Sequence, residues 1–460
     1  MTTQNNKHIN PHLFKDVITI FKRFVVPAII ITLLFGTTTM AQDRTITLDE
    51  AIKLGVESSN VVKLSHAKVD EAVSQYEQAK DKSKPSASAS FGYDRAEILA
   101  NRLDFGSSSI ALPKNDNAWL GIVSVNEVIL GAHKLRYAQE STQLLTDVAR
   151  LNADNDKDQI TYDIINAYYT LYKVLQSKKV VEQNIATIDE QIHQSQRFFD
   201  QGLVTKNDVL RFQLQKANIQ LNGIDLETNR KIVNYNLDVM LGLPETTQLN
   251  IAQINEADRQ VGLVTNYVDT ALATRVELRE LDVRHKVTEI NISTVKANAL
   301  PTLAASGSAY YIGTAANPFP QSGSYLTPIV FGLNLSWNFS SLWDNKNKVN
   351  QARIQQQEVD LNKAITINSV KKEVNENYQN YVMALDKIKL LQTSIEQAGE
   401  NNKILESKYK SNIASATDRA DAETLLYQAQ ISLELAKADA GLAYYSLIKS
   451  TGKLNKFPIH

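Results

Sequence analysis

The sequence predicts a fold that is mainly α with a transmembrane β-barrel, in which long α-helical coiled-coil hairpins accompany four β-strands per chain. Three observations lead there. The chain is a tandem duplication: Tyr168, Asp208, Gln220, Tyr235 and Gly242 recur as Tyr378, Asp418, Gln430, Tyr445 and Gly452, each displaced by 210 positions. Its 17 Gly and 10 Pro are bunched, and none falls between Gly131 and Gly202. A single helix through that gap runs roughly 100 Å at about 1.5 Å per residue, far beyond a globular core helix. Finally, each copy holds two segments that alternate with the period of a strand.

Composition narrows the function classes. With 49 Lys+Arg against 50 Asp+Glu, the formal net charge of -1 gives no footprint for a nucleic-acid partner. The absence of Cys removes disulfides, thiol nucleophiles, thiolate metal sites and a lipidated N-terminal Cys, so anchoring must come from the fold. The seven His are scattered without pair spacing, and neither a metal nor a cofactor is expected.

Residues 1–41 read as a signal peptide. Lys15, Lys22 and Arg23 precede an apolar run from Phe24 to Phe35, and Thr39 and Ala41 supply the small residues a peptidase needs before Gln42. The run is short for a bilayer span, and the alternative is an uncleaved anchor. The first repeat covers 42–242. It opens with an amphipathic helix from about Leu48 to Lys82, stopped near Pro85. Its strand hairpin, 86–128, begins with Ala87, Ala89, Phe91 and Tyr93 alternating with Ser86, Ser88, Ser90 and Gly92. The returning strand, Trp119 to Val128, alternates more weakly because Leu120 and Ile122 sit on its polar side. A long helical hairpin, 132–241, breaks at Gly202.

A connector, 243–266, holds one short strand, Gln248 to Ile251. The second repeat, 267–454, follows the same order: a helix to about Ala299, a strand hairpin 302–340, and a helical hairpin 344–450 that breaks near Asn412. Ile329, Phe331, Leu333, Leu335, Trp337 and Phe339 alternate there with Val330, Gly332, Asn334, Ser336 and Asn338. Residues 455–460 form a tail. The hydrophobic frame Ile160, Ile164, Leu171, Val181, Ile185 recurs as Val370, Val374, Tyr381, Leu391, Ile395, the spacing of helices packed along neighbours. Four strands of about ten residues, with Trp119, Tyr310, Tyr311 and Trp337 for the rims, suit a bilayer but cannot close a barrel. Open edges are not tolerated in lipid, so closure demands several chains.

Two places along the hairpins carry candidate functional residues. At the first tip, Gly202, Leu203, Val204 and Thr205 make a sharp reversal in which Gly provides a left-handed backbone. The matching turn has Asn412 and Ile413, Asn being the next best residue for that conformation. These residues either make the turn alone or present Leu203 and Val204 to a partner. Asp418 and Asp421 lie three apart, on one face of a helix just past the second tip. They are either a solvated helix start or a paired acidic site.

From Thr47 to Leu454 the order of helix, strand hairpin and helical hairpin, given twice, resembles the outer membrane efflux protein family, the TolC-like channels. The stretch from Phe199 to Leu210, FDQGLVTKNDVL, is similar to that family's first hairpin tip. The resemblance implies a homotrimer in the cell outer membrane. Four strands per chain complete one barrel, and the helices form a periplasmic tunnel that narrows at its inner end. It implies the exit duct of a tripartite efflux pump or type I secretion system, partnered by a periplasmic adaptor protein and through it an inner membrane transporter, and no enzyme activity. The six tip residues, Gly202, Leu203, Val204, Thr205, Asn412 and Ile413, would meet the adaptor. Asp418, Asp421, Asp208 and Tyr409 would surround the channel entrance, the two aspartates of the second copy matching an acidic constriction. The arginine that ties the closed entrance in the family corresponds here to Ala414, with Asn207 or Arg419 as substitutes.

The rival readings are a periplasmic adaptor, a coiled-coil envelope spacer and an envelope enzyme. An adaptor needs one hairpin flanked by Gly-rich β modules, whereas this chain has two hairpins with strands interposed. No nucleophile, base and orienter grouping supports an enzyme. Cargo is not written in a lining of small and polar residues.

Overall fold

The computed structural model describes residues 43–97, 102–111, 115–131, 133–252, 261–314 and 324–454. The expected signal peptide at 1–41, the middle of the connector, the loop with Pro318, Pro320 and Gly323, and the tail at 455–460 lie outside the described residues. In chain order the first run is β1 (Asp43–Ile46), α1 (Leu48–Ser58), α2 (Asn60–Asp81), β2 (Ser86–Glu97), β3 (Arg102–Phe105), β4 (Ser108–Ala111), β5 (Asn115–Leu130), α3 (Lys134–Asp200) and α4 (Lys206–Leu241). The second is β6 (Gln248–Ile251), α5 (Val264–Thr274), α6 (Val276–Ala297), β7 (Thr302–Thr314), β8 (Ser324–Leu326), β9 (Ile329–Ser336), α7 (Ser341–Lys410) and α8 (Ala416–Ser450).

The helix expected to open each repeat is two helices. Ser59, at ψ 119°, and Arg275, at ψ 128°, leave the helical region, and each stands between the paired helices of its repeat. The cause is a tertiary contact. Each break lies against the C-terminus of the same repeat's last helix, where Gly242 (φ +68°) and Gly452 (φ +70°) turn left-handed. Ser58 Oγ donates to Met240 O at 2.8 Å, while Arg275 Nη1 donates to Ser450 O at 3.3 Å and Thr274 Oγ1 to Thr451 O. A Cβ on Gly242 would lie 2.8 Å from Ser58 Cβ, and one on Gly452 would lie 3.1 Å from Arg275 backbone atoms. Glycine is therefore required at both joints for its conformation and for its lack of bulk.

The main core sits midway along α3 and at the C-terminal ends of α4 and α8. Ile164, Ile165, Tyr168, Tyr169 and Leu171 of α3 pack with Leu237 and Leu241 of α4, Tyr445 and Ile448 of α8, and Ile46 and Leu249 from the strands. The two repeats thus share one core. Gly441 lets α8 approach α3 closely, since a Cβ there would stand 2.3 Å from the Tyr169 ring. Strand β1, which alternation alone did not reveal, pairs in parallel with β6, Asp43 to Ile46 against Gln248 to Ile251. Tyr168 Oη donates to Ile46 O at 3.1 Å and fastens that pair to the helices.

The long strands form one antiparallel sheet in the order β2-β5-β7-β9, with β8 also on β7. The junction between repeats is β5 against β7. Register assigns the faces. Ala89, Val123, Ala309 and Ile329 lie in one row, and Ala87, Val125, Gly307 and Phe331 in the next. On the other face Ser88, Ser124, Ser308 and Val330 share a row, and Ser88 and Ser124 join through their hydroxyls at 2.9 Å. Leu120 and Ile122 belong to this second face, beside Ile312 and Tyr310 at the turn end. The first face is bare: Phe91 is 70% exposed, Phe331 83% and Leu333 70%. Leaving such side chains in water forgoes roughly 1.5–3 kcal/mol each. Among the described residues the sheet does not close on itself, and β2 and β9 are its open edges.

Asn234 holds the connector to α4. Its Nδ2 donates to Thr247 O and to Asp238 Oδ2, both at 2.7 Å, and its Oδ1 accepts from Leu249 N at 2.8 Å. All of this is buried, and burial pushes the Asp238 carboxyl up to about 6. Asn234→Ala orphans groups on three partners and should cost about 2–3 kcal/mol, read as a lowered thermal midpoint of the purified protein; an unchanged midpoint would mean the connector is held by its apolar contacts alone.

Candidate functional site

The two helical tips are built alike. At the first, Gly202 takes φ +71°, Gly202 N donates to Phe199 O at 2.9 Å and Leu203 N to Phe198 O at 2.9 Å. At the second, Asn412 takes φ +59°, Asn412 N donates to Tyr409 O at 3.0 Å and Ile413 N to Lys408 O at 2.8 Å. Each chain then re-enters a helix through a capping box, Thr205 with Asp208 and Ser415 with Asp418. Leu203 is 49% exposed and Ile413 76%. Val204, expected to be exposed beside Leu203, is half-buried, as is its counterpart Ala414.

The capping boxes decide what the aspartates do locally. Asp208 Oδ2 accepts from Thr205 N at 2.7 Å and Thr205 Oγ1 at 2.8 Å. Asp418 Oδ2 accepts from Ser415 Oγ at 2.8 Å and Ser415 N at 3.1 Å, and those bonds hold its carboxyl below the usual range. Asp418 remains exposed, as does Asp421. Asp421 lines a groove of about 400 Å³ between α4 and α8, together with Arg211 and Asn207.

Tyr409 is not at a surface. It is 3% exposed and packs between Phe198 and Phe212, each ring centroid 5.9 Å away. Burial raises its hydroxyl pKa, opposed by the hydroxyl of Ser195. Ala414 packs against the cluster that holds Tyr409, so the position that the resemblance assigns to an arginine supplies a methyl group there. Asn207 is exposed at the start of α4.

Arg419 points the other way from Asp418 and Asp421 and is buried at 4%. Its Nη1 donates to Asn402 Oδ1 on α7 and lies 3.4 Å from Glu423 Oε2, itself buried at 3%. Glu423 Oε2 also accepts from Gln191 Nε2 on α3 at 3.2 Å. Glu406 stands 3.9 Å from Arg419 Nη2 and pairs with Lys410 at 2.7 Å, which lowers its pKa. Nearby, Gln215 Nε2 on α4 donates to Ala420 O at 3.2 Å and Thr424 Oγ1 at 3.1 Å. Polar bonds therefore tie α8 to α7, α3 and α4 just above the tips. The sequence held one sign of this, the i,i+4 spacing of Arg419 and Glu423 on a face turned away from the aspartates. Among the described residues no cluster of His, Asp and Glu could hold a metal ion, and no helix is long and apolar enough to cross a membrane.

Residues 267–453 match the family model of the outer membrane efflux protein. The chain is 21% identical over 351 residues to the outer membrane efflux protein BepC of Brucella suis, covering 74% of each. Its fold is similar to that of VceC from Vibrio cholerae, with a TM-score of 0.73, 15% identity, and coverage of 88% of this chain and 96% of that one. It is likewise similar to the CmeC outer membrane channel of Campylobacter jejuni, with a TM-score of 0.72, 14% identity, and coverage of 88% and 86%. A second family model, interferon gamma, matches residues 131–250. That stretch is mostly α3 and α4, a helical pattern without the long strands of the sheet, and a 67-residue helix has no place in a small globule.

The buried ion pair gives a test. Arg419→Met leaves Glu423 buried and uncompensated and should destabilise by about 3–5 kcal/mol, whereas adding Glu423→Leu should restore much of the loss. A double-mutant cycle on the thermal midpoint checks this; equal midpoints for the wild type and the single variant would remove the pair from any structural role.

Proposed function

We propose that this chain, a relative of the outer membrane efflux proteins, is a trimeric outer membrane channel-tunnel that forms the exit duct of a tripartite efflux pump or type I secretion system. The observation that carries the proposal is the fusion of an open sheet, apolar on one face and serine-rich on the other, with helical hairpins whose longer helices run roughly 100 Å. The apolar face suits lipid, the serine face suits an aqueous lumen, and three copies of four long strands give an even-numbered barrel. In lipid the open edges β2 and β9 must pair, and the complementary edge is offered by another copy. Exposed stripes on α4 (Leu210, Leu214, Leu221) and α7 (Ile354, Leu361, Leu390) supply seams along which neighbouring copies pack.

In this arrangement the helices run into the periplasm as a tunnel, and the tips face an adaptor protein, through which an inner membrane transporter delivers cargo. Leu203 and Ile413 are the exposed apolar residues at those tips. Asp418 and Asp421 crowd six carboxylates around the inner aperture. The chain conducts and has no catalytic role.

Recovery as a trimer in detergent and conductance in planar bilayers test the proposal; a stable folded monomer would overturn it. Leu203→Asp and Ile413→Asp should each leave assembly intact and abolish export in a strain that depends on this protein, because an unpaired charge buried in an adaptor contact costs several kcal/mol. Asp418→Asn with Asp421→Asn should weaken block by a trivalent cation and lower cation preference, since the field at the aperture falls. Identical block in both proteins would return these aspartates to an outer, solvated face.

A further inference from the structure

At the junction between sheet and helices, a groove of about 590 Å³ opens between the end of β5, the first turn of α3 and the segment that leads into β7. Its floor is apolar: Val128, Ile129, Leu130 and Leu300 are all about half exposed. The shape comes from a register shift between Val128 and Leu130, which expels Ile129 from the ladder. Its rim is lined by His133 and by two cationic side chains, Lys134 and Arg136. Arg136 Nε donates to Glu140 at 2.7 Å, an ion pair that offsets part of its charge, and the Arg136 side chain is 70% exposed. Neither Glu127 nor Glu140 lines the groove.

The surroundings say what fills it. The apolar outer face of the sheet ends here, with Leu130, Leu303 and Leu335 in register at its last row. At the same level Trp337, Phe339, Leu342 and Trp343 are exposed. Trp337 Nε1 donates to Ala299 O at 3.1 Å, next to Leu300 of the groove. Exposed tryptophans at the end of an apolar band mark the depth of lipid headgroups. A cleft at that depth, apolar within and cationic at the side facing the helices, matches acyl chains with a phosphate above them.

We infer that this groove seats a phospholipid of the periplasmic leaflet whose headgroup carries a net negative charge, with the acyl chain on Ile129, Leu130 and Leu300 and the phosphate against Lys134 and Arg136. The inference rests on the outer membrane reading. It adds a bound lipid that couples the barrel to the helices, since β5 and α3 both contribute to the seat.

The test uses the full-length protein reconstituted in phosphatidylcholine bilayers, with and without phosphatidylglycerol, and measures the lipid retained after detergent extraction by native mass spectrometry. The wild type should retain phosphatidylglycerol several-fold over phosphatidylcholine. Lys134→Glu with Arg136→Glu should abolish that preference, and Lys134→Arg with Arg136→Lys should keep it. Leu300→Asn should lower retention of both lipids, and added inorganic phosphate should leave retention unchanged. Equal retention of the two lipids by the wild type, or an unaltered preference in the charge-reversed protein, overturns the seat. Displacement by inorganic phosphate does so too, reducing it to a free-anion site. Conductance recorded on the same preparations separates the two levels: conducting protein without lipid preference sinks the seat alone, whereas failure to insert sinks the outer membrane reading and the seat with it.

Discussion

The constraint on which the architecture depends is an antiparallel sheet with an apolar face and two unpaired edges. In water the face is costly; in lipid the edges are. Each unpaired N–H and C=O in hydrocarbon costs several kcal/mol, more than any side-chain contact on the sheet returns. In the proposed assembly, pairing the edges of β2 and β9 with other copies also brings the helices of those copies side by side. The exposed stripes on α4 and α7 are the helical surfaces which that proposal uses.

Much of this was legible in the sequence because the informative signals are periodic and local. Alternation located β2, β5, β7 and β9, and the Gly and Pro distribution gave the long helices. The left-handed turns at Gly202 and Asn412 follow from residue type. What was missed depends on contacts far apart in the chain. At Ser59 there is a local signal, an N-cap whose Oγ accepts from Val62 N, but Arg275 has no such cap, and at both breaks the glycine-terminated ends of α4 and α8 lie close by. Strand β1 is too short for alternation and forms only because β6 lies beside it.

The tips show what local geometry adds to the likeness. The resemblance sets Tyr409 and Asp208 at an entrance; within the chain the Tyr409 ring packs between Phe198 and Phe212 and the Asp208 carboxylate is engaged by Thr205. The polar connections lie one turn further in, around Arg419 and Glu423, on the helix face that the aspartates do not use. A buried pair of this kind adds little net stability but penalises any displacement that would separate it, which favours one alignment of α8 over its neighbours.

The core sits near the midpoint of α3, and that position has a mechanical consequence. From Tyr168 to Asp200 is about 32 residues, or roughly 48 Å of helix at 1.5 Å per residue. The core and the glycine joints act as a fulcrum, and the hairpins as lever arms. A tilt of about 5° at the fulcrum sweeps a tip through roughly 4 Å, so a rearrangement smaller than one side chain at mid-height is magnified to the width of a water molecule or more at the end.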